Sequence, residues 1–171
     1  MKWKIRNTVK PEGPGPNIFS SDNVKIDDDE AILSINESSS EIYLENVKYG
    51  KYKFTLEAPI FLPVGVILGI FLYEDDEHEY DIEFGRWNKF FNKNMQFVKQ
   101  PVSKFPPRRY WNLCNLCKIE IDYQKDYIRF TVNGIIEEFD NNLTKPSLHI
   151  NLWKYGVRGY ASVKIKDFIY E

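Results

Sequence analysis

Alternation of apolar and polar side chains with a period of two is the feature that most restricts the fold of this chain. It runs through eleven segments bounded by Gly, Pro, Asn or Asp: residues 23–26, 31–35, 41–47, 52–57, 64–73, 78–84, 94–100, 116–123, 127–133, 148–153 and 161–170. Successive side chains of a strand point to opposite faces, so the pattern predicts strands with one buried face. No stretch of ten or more residues has a helical period. We therefore expect an all-β protein.

The number and length of these segments restrict how the strands are arranged. About a dozen short strands without helices form either a sandwich of two antiparallel sheets or a barrel. We favour the sandwich because the strands differ in length. Asn133-Gly134 lies between two apolar runs and predicts a tight hairpin turn. A length of 171 residues suits one domain, 1–171, in which 1–22 form an N-terminal strap with alternating Pro and Gly at 11–16.

Charge and hydropathy exclude several kinds of partner. The net charge is −2, from 23 basic and 25 acidic side chains, which argues against binding to nucleic acid. The apolar run 60–72 contains one proline and two glycines and is too short to cross a membrane. The first residues lack the apolar segment of a signal peptide, as in an intracellular protein or a secreted one whose leader has been removed. The compartment stays open, and we expect a monomer.

Three carboxyl side chains share one face of the segment 79–84. Tyr80 and Ile82 occupy the alternate positions that would face the core. Glu79, Asp81 and Glu83 occupy the positions between and beside them, on the opposite face. Like charges in a row raise each other's pKa. A retaining glycosidase uses two carboxyl groups about 5–5.5 Å apart. The two glutamate Cα atoms would be roughly 13 Å apart on a flat strand, and inward-leaning side chains on a curved strand would shorten that gap. Asp81 would then tune both pKa values and hold a proton. A solvated strand face has the same alternation and is the alternative interpretation.

Polar and aromatic side chains on other strands fit a sugar site. Amides can bind hydroxyl groups, and an indole can stack on a sugar ring. An aromatic content of 16 % is also more than a core of this size needs. His149 is equally compatible with an ordinary hydrogen-bonding role, and Trp87 with core packing. The candidate substrate-binding residues are Gln96, Asn151, Trp153, Trp87, Tyr73 and His149.

These segments resemble glycoside hydrolase family 16. Residues 79–84 resemble its Glu-x-Asp-x-Glu signature in the form found in bacterial lichenases. Residues 48–54, 95–97, 127–134 and 150–153 resemble four other strands of the family in the same order. The resemblance covers residues 23–170. It implies a concanavalin-like jelly roll whose concave sheet forms the substrate cleft, and cleavage of internal β-1,3 or β-1,4 linkages with retention.

The resemblance also implies roles for individual residues. Glu79 would be the nucleophile, Glu83 the general acid/base and Asp81 their assistant, while Gln96 and two residues of 150–153 (Asn151 and Trp153) would contact sugar. Some family members hold a structural calcium between strands near the two ends of the chain, and Asp167 occupies the matching place. No cofactor is required for this chemistry.

The remaining motif is Cys114-x-x-Cys117. A redox pair needs a helix after the first cysteine, and none is predicted here. A zinc site needs four ligands, whereas the chain has two cysteines and two distant histidines. We therefore interpret the pair as structural thiols.

Two functions from different classes fit the sequence. The first is a retaining endo-glycosidase that acts on a polysaccharide such as a β-glucan. The second is a non-catalytic carbohydrate-binding module on the same fold, which the short loops around the cleft favour and the three crowded carboxylates disfavour. A third and weaker possibility is an inherited fold with an unrelated task.

Overall fold

A computed structural model describes residues 2–28, 30–87, 89, 92–155 and 159–171. Fourteen strands form two antiparallel seven-stranded sheets. The first sheet contains, in spatial order, β1 (Lys4–Ile5), β4 (Ser40–Leu44), β13 (Ser147–Lys154), β6 (Val66–Asp75), β7 (His78–Phe84), β8 (Met95–Lys99) and β9 (Arg108–Tyr110). The second contains β12 (Ile135–Asp140), β11 (Tyr127–Val132), β10 (Leu116–Tyr123), β5 (Gly50–Glu57), β14 (Ala161–Tyr170), β3 (Glu30–Ile35) and β2 (Val24–Asp27).

All eleven predicted strands are present, and the sandwich prediction is confirmed. In the described part of the chain, the one helical element is a 3-10 turn, Ser21–Asn23, and no helix is long and apolar enough to span a bilayer. Three strands escaped prediction. β1 and β9 are too short to show an alternation, having two and three residues. β12 was not predicted because Glu137 interrupts its alternation of apolar and polar residues. The Glu137 carboxyl lies on the buried side, where Arg108 and the Tyr110 hydroxyl donate to it.

Apolar side chains of one parity form the core between the sheets. On β13, Leu148, Ile150 and Leu152 are fully buried, and Ile119 and Ile121 on β10 of the other sheet belong to the same buried cluster. Each such side chain contributes about 1.5–3 kcal/mol on burial. A slip of one residue would expose the whole set, so the core fixes the register of every strand. The polar side chains at alternate positions of β13 and β7 must consequently point to the outer face of the sheet.

The Asn-Gly hairpin is confirmed. Val132 pairs with Ile135 across the turn between β11 and β12, and Asn133 and Gly134 have φ of 49° and 85°. Two successive positive φ angles define the type I′ turn, whose twist matches that of the flanking strands.

The N-terminal strap lies along the end of β13. Glu12 and Asn17 exchange backbone hydrogen bonds of 2.8 and 3.2 Å, so this Pro/Gly segment forms one isolated bridge. The Asn17 side-chain amide donates to the carbonyl of Lys154 (3.0 Å), and a Cβ on Gly15 would lie 3.7 Å from the Trp153 ring. The strap therefore stands beside the outer face of the first sheet.

Candidate active site

Strand β7 presents three carboxyl groups to one cleft. Glu79, Asp81 and Glu83 all line a cavity of about 820 Å³ on the outer face of the first sheet. Tyr80 and Ile82, between them, are fully buried on the core side. The parity predicted from the sequence therefore holds, and the placement in a cleft distinguishes this row from a freely solvated strand face.

A row of cross-strand partners through Glu83 spans six of the seven strands of the sheet. Its members are Glu41 on β4, Asn151 on β13, Gly69 on β6, Glu83 on β7, Gln96 on β8 and Arg109 on β9. Gly69 opens the floor between Asn151 and Glu83, because a Cβ there would meet the Asn151 Oδ1 at 2.7 Å. The space that a side chain at position 69 would fill is thus taken by the Asn151 carboxamide.

The pKa of Glu83 is shifted toward neutrality. Burial raises its pKa to about 7, the nearby Glu79 charge acts in the same direction, and the Gln96 amide and Arg109 oppose the shift. The Gln96 Nε2 donates to Glu83 Oε2 at 2.5 Å, and the Arg109 Nε donates to Gln96 Oε1 at 3.0 Å. A carboxyl with a pKa near neutrality can both donate and accept a proton at physiological pH.

The carboxyl groups of Glu79 and Asp81 interact with each other. Burial raises the pKa of both groups, and the Glu79 charge raises the pKa of Asp81 further. Their side chains hydrogen-bond, which lowers the pKa of Glu79. The Asp81 Oδ2 finds no hydrogen-bond donor among the described residues. Burial and the charges of Glu79 and Glu83 therefore favour the neutral form of Asp81, and the hydrogen bond between the two side chains favours the ionised form of Glu79.

A buried carboxylate that the sequence analysis missed organises the β4 side of the cleft. Glu41 is 1 % exposed and accepts from Arg6 (3.0 Å), His149 Nδ1 (2.9 Å) and Asn151 Nδ2 (3.3 Å). Glu41 alternates with the apolar Ile42, so the sequence could have shown which face of the strand it occupies. The sequence could not have shown that β4 pairs with β13, because this pairing joins residues more than one hundred positions apart.

His149 is held firmly in the cleft wall. Its second ring nitrogen lies 2.6 Å from the Ser147 Oγ. Its ring stacks between those of Tyr43 and Phe71, with centroids 5.3 and 4.9 Å away. His149 also lowers the pKa of Glu79, a smaller effect than burial and the hydrogen bond from Asp81. The ordinary hydrogen-bonding role and a place in the cleft thus both apply to this residue.

The structure places the other candidate residues as follows. Tyr73, Asn151 and Trp153 line the cleft together with His149. Gln96 lies beneath it against Glu83, and Trp87 lies outside the lining residues, with the Arg109 guanidinium 5.5 Å from its ring centroid. Their roles toward a ligand remain predictions.

The cleft is strongly acidic. Six of its described lining residues are acids, Glu12, Glu41, Asp76, Glu79, Asp81 and Glu83, against one arginine, Arg6, and one histidine, His149. The strap supplies part of this wall through Glu12 and Pro14. Such a surface favours neutral ligands over anionic ones.

The candidate metal and thiol residues lie elsewhere. Asp167 is exposed at an irregularity of β14, with φ of 55°, beside the acids 27, 28 and 30. Among the described residues no three His, Cys, Asp or Glu side chains are grouped to hold a metal, so calcium at Asp167 would need backbone carbonyl ligands and stays a prediction. Cys114 and Cys117 are free thiols, one exposed and one buried.

The fold of this chain is similar to that of several known structures. The Bacillus licheniformis beta-glucanase superposes with a TM-score of 0.71 at 18 % identity, covering 98 % of this chain and 91 % of that one. A lichenase derived from a mouse hindgut metagenome gives 0.70 at 17 % identity, with 99 % and 92 % covered. A glycoside hydrolase family 16 endo-glucanase from Bacteroides ovatus gives 0.68 at 14 % identity, with 98 % and 94 % covered.

The chain therefore has the fold of the glycoside hydrolase family 16 β-glucanases over nearly its whole length, as the sequence resemblance predicted. No family model matches the sequence. No curated protein matches it either.

Proposed function

We propose that this protein is a retaining endo-glycosidase that hydrolyses internal β-1,3 or β-1,4 linkages of a neutral β-glucan. The observation that carries the proposal is the row Glu79, Asp81 and Glu83 on β7, lining one cleft with distinct proton affinities. Glycoside hydrolases of this fold are its structural neighbours, and one of them was solved with the oligosaccharide product G4G4G3G.

Each carboxyl group has a separate task in this mechanism. Glu79 attacks the anomeric carbon while Glu83 gives its proton to the glycosidic oxygen, so the bond to the leaving sugar breaks and a glycosyl ester forms. Glu83, now ionised, takes a proton from water, whose oxygen displaces Glu79 and restores both groups. The hydrogen bond between Asp81 and Glu79 favours the anionic form of the nucleophile between turnovers.

The walls of the cleft fit a neutral sugar chain. The Asn151 Oδ1 is buried without a partner among the described residues and could accept a hydroxyl proton. Trp153 offers an indole for stacking, and the absence of a side chain at Gly69 lets the Asn151 amide lie over the floor of the cleft. The excess of carboxyl groups disfavours sulfated or uronate-containing polymers.

Product stereochemistry and chemical rescue test the proposal. With lichenan or laminarin, ¹H NMR should detect the β-anomer of the product first. Glu79→Gln and Glu83→Gln should each lower kcat/KM by at least about 10³-fold, whereas Glu120→Gln, on the other sheet, should not. With an aryl β-oligoglucoside and azide, Glu79→Ala should form an α-glycosyl azide and Glu83→Ala a β-glycosyl azide. The α-anomer appearing first, or wild-type activity in either glutamine variant, would refute the role assignment.

The alternative function is a carbohydrate-binding module. It is favoured by the hairpin between β6 and β7, where only residues 76 and 77 separate the strands, because short loops leave a shallow cleft. Calorimetric titration with β-glucan oligosaccharides distinguishes the two. Binding without release of reducing ends would establish the module and exclude the hydrolase, and a lack of both would exclude both.

A further inference from the structure

A relay of side chains runs from the edge of the sheet to Glu83. Arg109 on β9, Gln96 on β8 and Glu83 on β7 are consecutive cross-strand partners. The Arg109 Nε donates to Gln96 Oε1 (3.0 Å), and Gln96 Nε2 donates to Glu83 Oε2 (2.5 Å). Gln96 is 5 % exposed, so its amide has few other partners available.

We propose that Arg109 is a positioning residue for Glu83, because it fixes which end of the Gln96 amide faces that carboxyl group. The inference rests on the proposed function, in which Glu83 is the acid/base. Arg109 touches neither the cleft nor the reacting atoms, and it acts through Gln96.

The chemistry of the three groups allows one orientation of the amide. A guanidinium only donates hydrogen bonds, so the Gln96 oxygen must face Arg109. The Gln96 NH₂ must then face Glu83 and donate to it. Without Arg109, the amide could rotate by 180° and accept a proton from neutral Glu83 instead. Arg109 thus selects the amide orientation that favours ionised Glu83, the form produced when Glu83 gives its proton away.

Contacts on the outside of the sheet hold Arg109 in place. Its guanidinium lies over the Trp87 ring at 5.5 Å, and its Nη1 lies 3.4 Å from the Asn92 Oδ1. In the described part of the chain no carboxylate forms an ion pair with Arg109, whereas the adjacent Arg108 pairs with Glu137. The charge of Arg109 is therefore not neutralised locally. Trp87, which lies outside the cleft lining, thus helps to hold the Arg109 guanidinium in place.

The other charged groups around Glu83 are mostly acids. Glu79 and Asp81 lie on its own strand, and Glu41 lies three strands away on β4, where it pairs with Arg6. The β6 and β13 members of the row are Gly69 and Asn151, which carry no charge, and His149 on β13 acts on Glu79. Burial raises the pKa of Glu83 to about 7, the Glu79 charge adds to the shift, and the Gln96 amide and Arg109 are the groups that lower it. Removal of Arg109 should raise that pKa.

The test compares Arg109→Met with Lys104→Met, which removes the same charge from an exposed site nearby. In the pH profile of kcat/KM on lichenan, Arg109→Met should move the basic limb upward by about one pH unit, and Lys104→Met should leave it unchanged. Arg109→Lys, which keeps the charge, should restore part of the shift. In a Gln96→Met background, Arg109→Met should move the limb by less than it does alone, because only the direct effect of the Arg109 charge on Glu83 is then left. A uniform loss of activity at every pH, or full additivity with Gln96→Met, would overturn the inference.

A second readout does not depend on catalysis. In protein labelled with [¹³C]glutamate, the carboxyl signal assigned by its loss in Glu83→Gln should titrate at higher pH in Arg109→Met than in the wild type. If this shift occurs in a protein without hydrolytic activity, the proposed function fails and the relay stands. If the protein hydrolyses β-glucan and the titration of Glu83 is unchanged, the relay fails and the function stands.

Discussion

Replacing Glu83 by glutamine should stabilise the folded protein at alkaline pH. In the unfolded chain a glutamate ionises near its ordinary pKa of 4.5, whereas burial in the cleft raises the pKa of Glu83 to about 7. A raised pKa means that the folded state prefers the neutral carboxyl. The associated stability is therefore complete below pH 4.5 and is lost as the pH rises through 7.

The magnitude follows from the difference between the two pKa values. At 1.36 kcal/mol per pH unit, a difference of about 2.5 units corresponds to about 3 kcal/mol above pH 8. Glu83 is half-buried and faces the cleft, where water reduces the penalty. We expect Glu83→Gln to gain about 1–3 kcal/mol over the wild type at pH 8 and almost nothing at pH 4. The new amide oxygen can still accept from Gln96, so the Gln96 amide keeps its acceptor.

Equilibrium unfolding in urea measures this difference. Tryptophan fluorescence should follow the transition at pH 4, 6, 7 and 8 for the wild type, Glu83→Gln and the control Glu120→Gln. Glu120 lies on the other sheet and pairs with Lys51 at 3.5 Å, so its variant should change stability by less than about 1 kcal/mol. A Glu83→Gln effect that does not vary with pH, or a loss of stability at pH 8, would refute the description of Glu83 as a desolvated carboxyl group.

Three further predictions concern the cleft. Gly69→Ala should lower kcat/KM on lichenan by about 10²-fold, because its Cβ would displace the Asn151 side chain. The far-UV circular dichroism should be retained. An unchanged kcat/KM would contradict the assignment of Gly69 and Asn151 to the floor of the cleft. Trp153→Ala should raise the Kd of a β-glucan tetrasaccharide by about tenfold in calorimetry, through lost stacking on the sugar; an unaltered Kd would place the sugar elsewhere. Carboxymethylated β-glucan should be cut at least about tenfold more slowly than hydroxyethylated β-glucan of equal substitution, with a difference that shrinks in 0.5 M NaCl; equal rates would contradict electrostatic exclusion by the acidic wall.

The sequence by itself determined the strands and their faces. Alternation along 79–84 was sufficient to separate Glu79, Asp81 and Glu83 from the core, because the side-chain period of a strand is a local property of the backbone. The same reasoning placed His149, Asn151 and Trp153 on one face. It failed for β1 and β9, which are too short to show a period, and for β12, where Glu137 sits on the buried side.

Only the tertiary structure decided which strands are neighbours. Glu41 reaches His149 and Asn151 because β4 pairs with β13 across more than one hundred residues, and Arg109 reaches Glu83 because β9 closes the edge of the sheet. No local pattern encodes such pairings, which depend on how the two sheets bury a common core. The pKa of Glu83 likewise follows from its surroundings in the cleft, since burial, the Glu79 charge and the Arg109–Gln96 relay exist only once the strands have assembled.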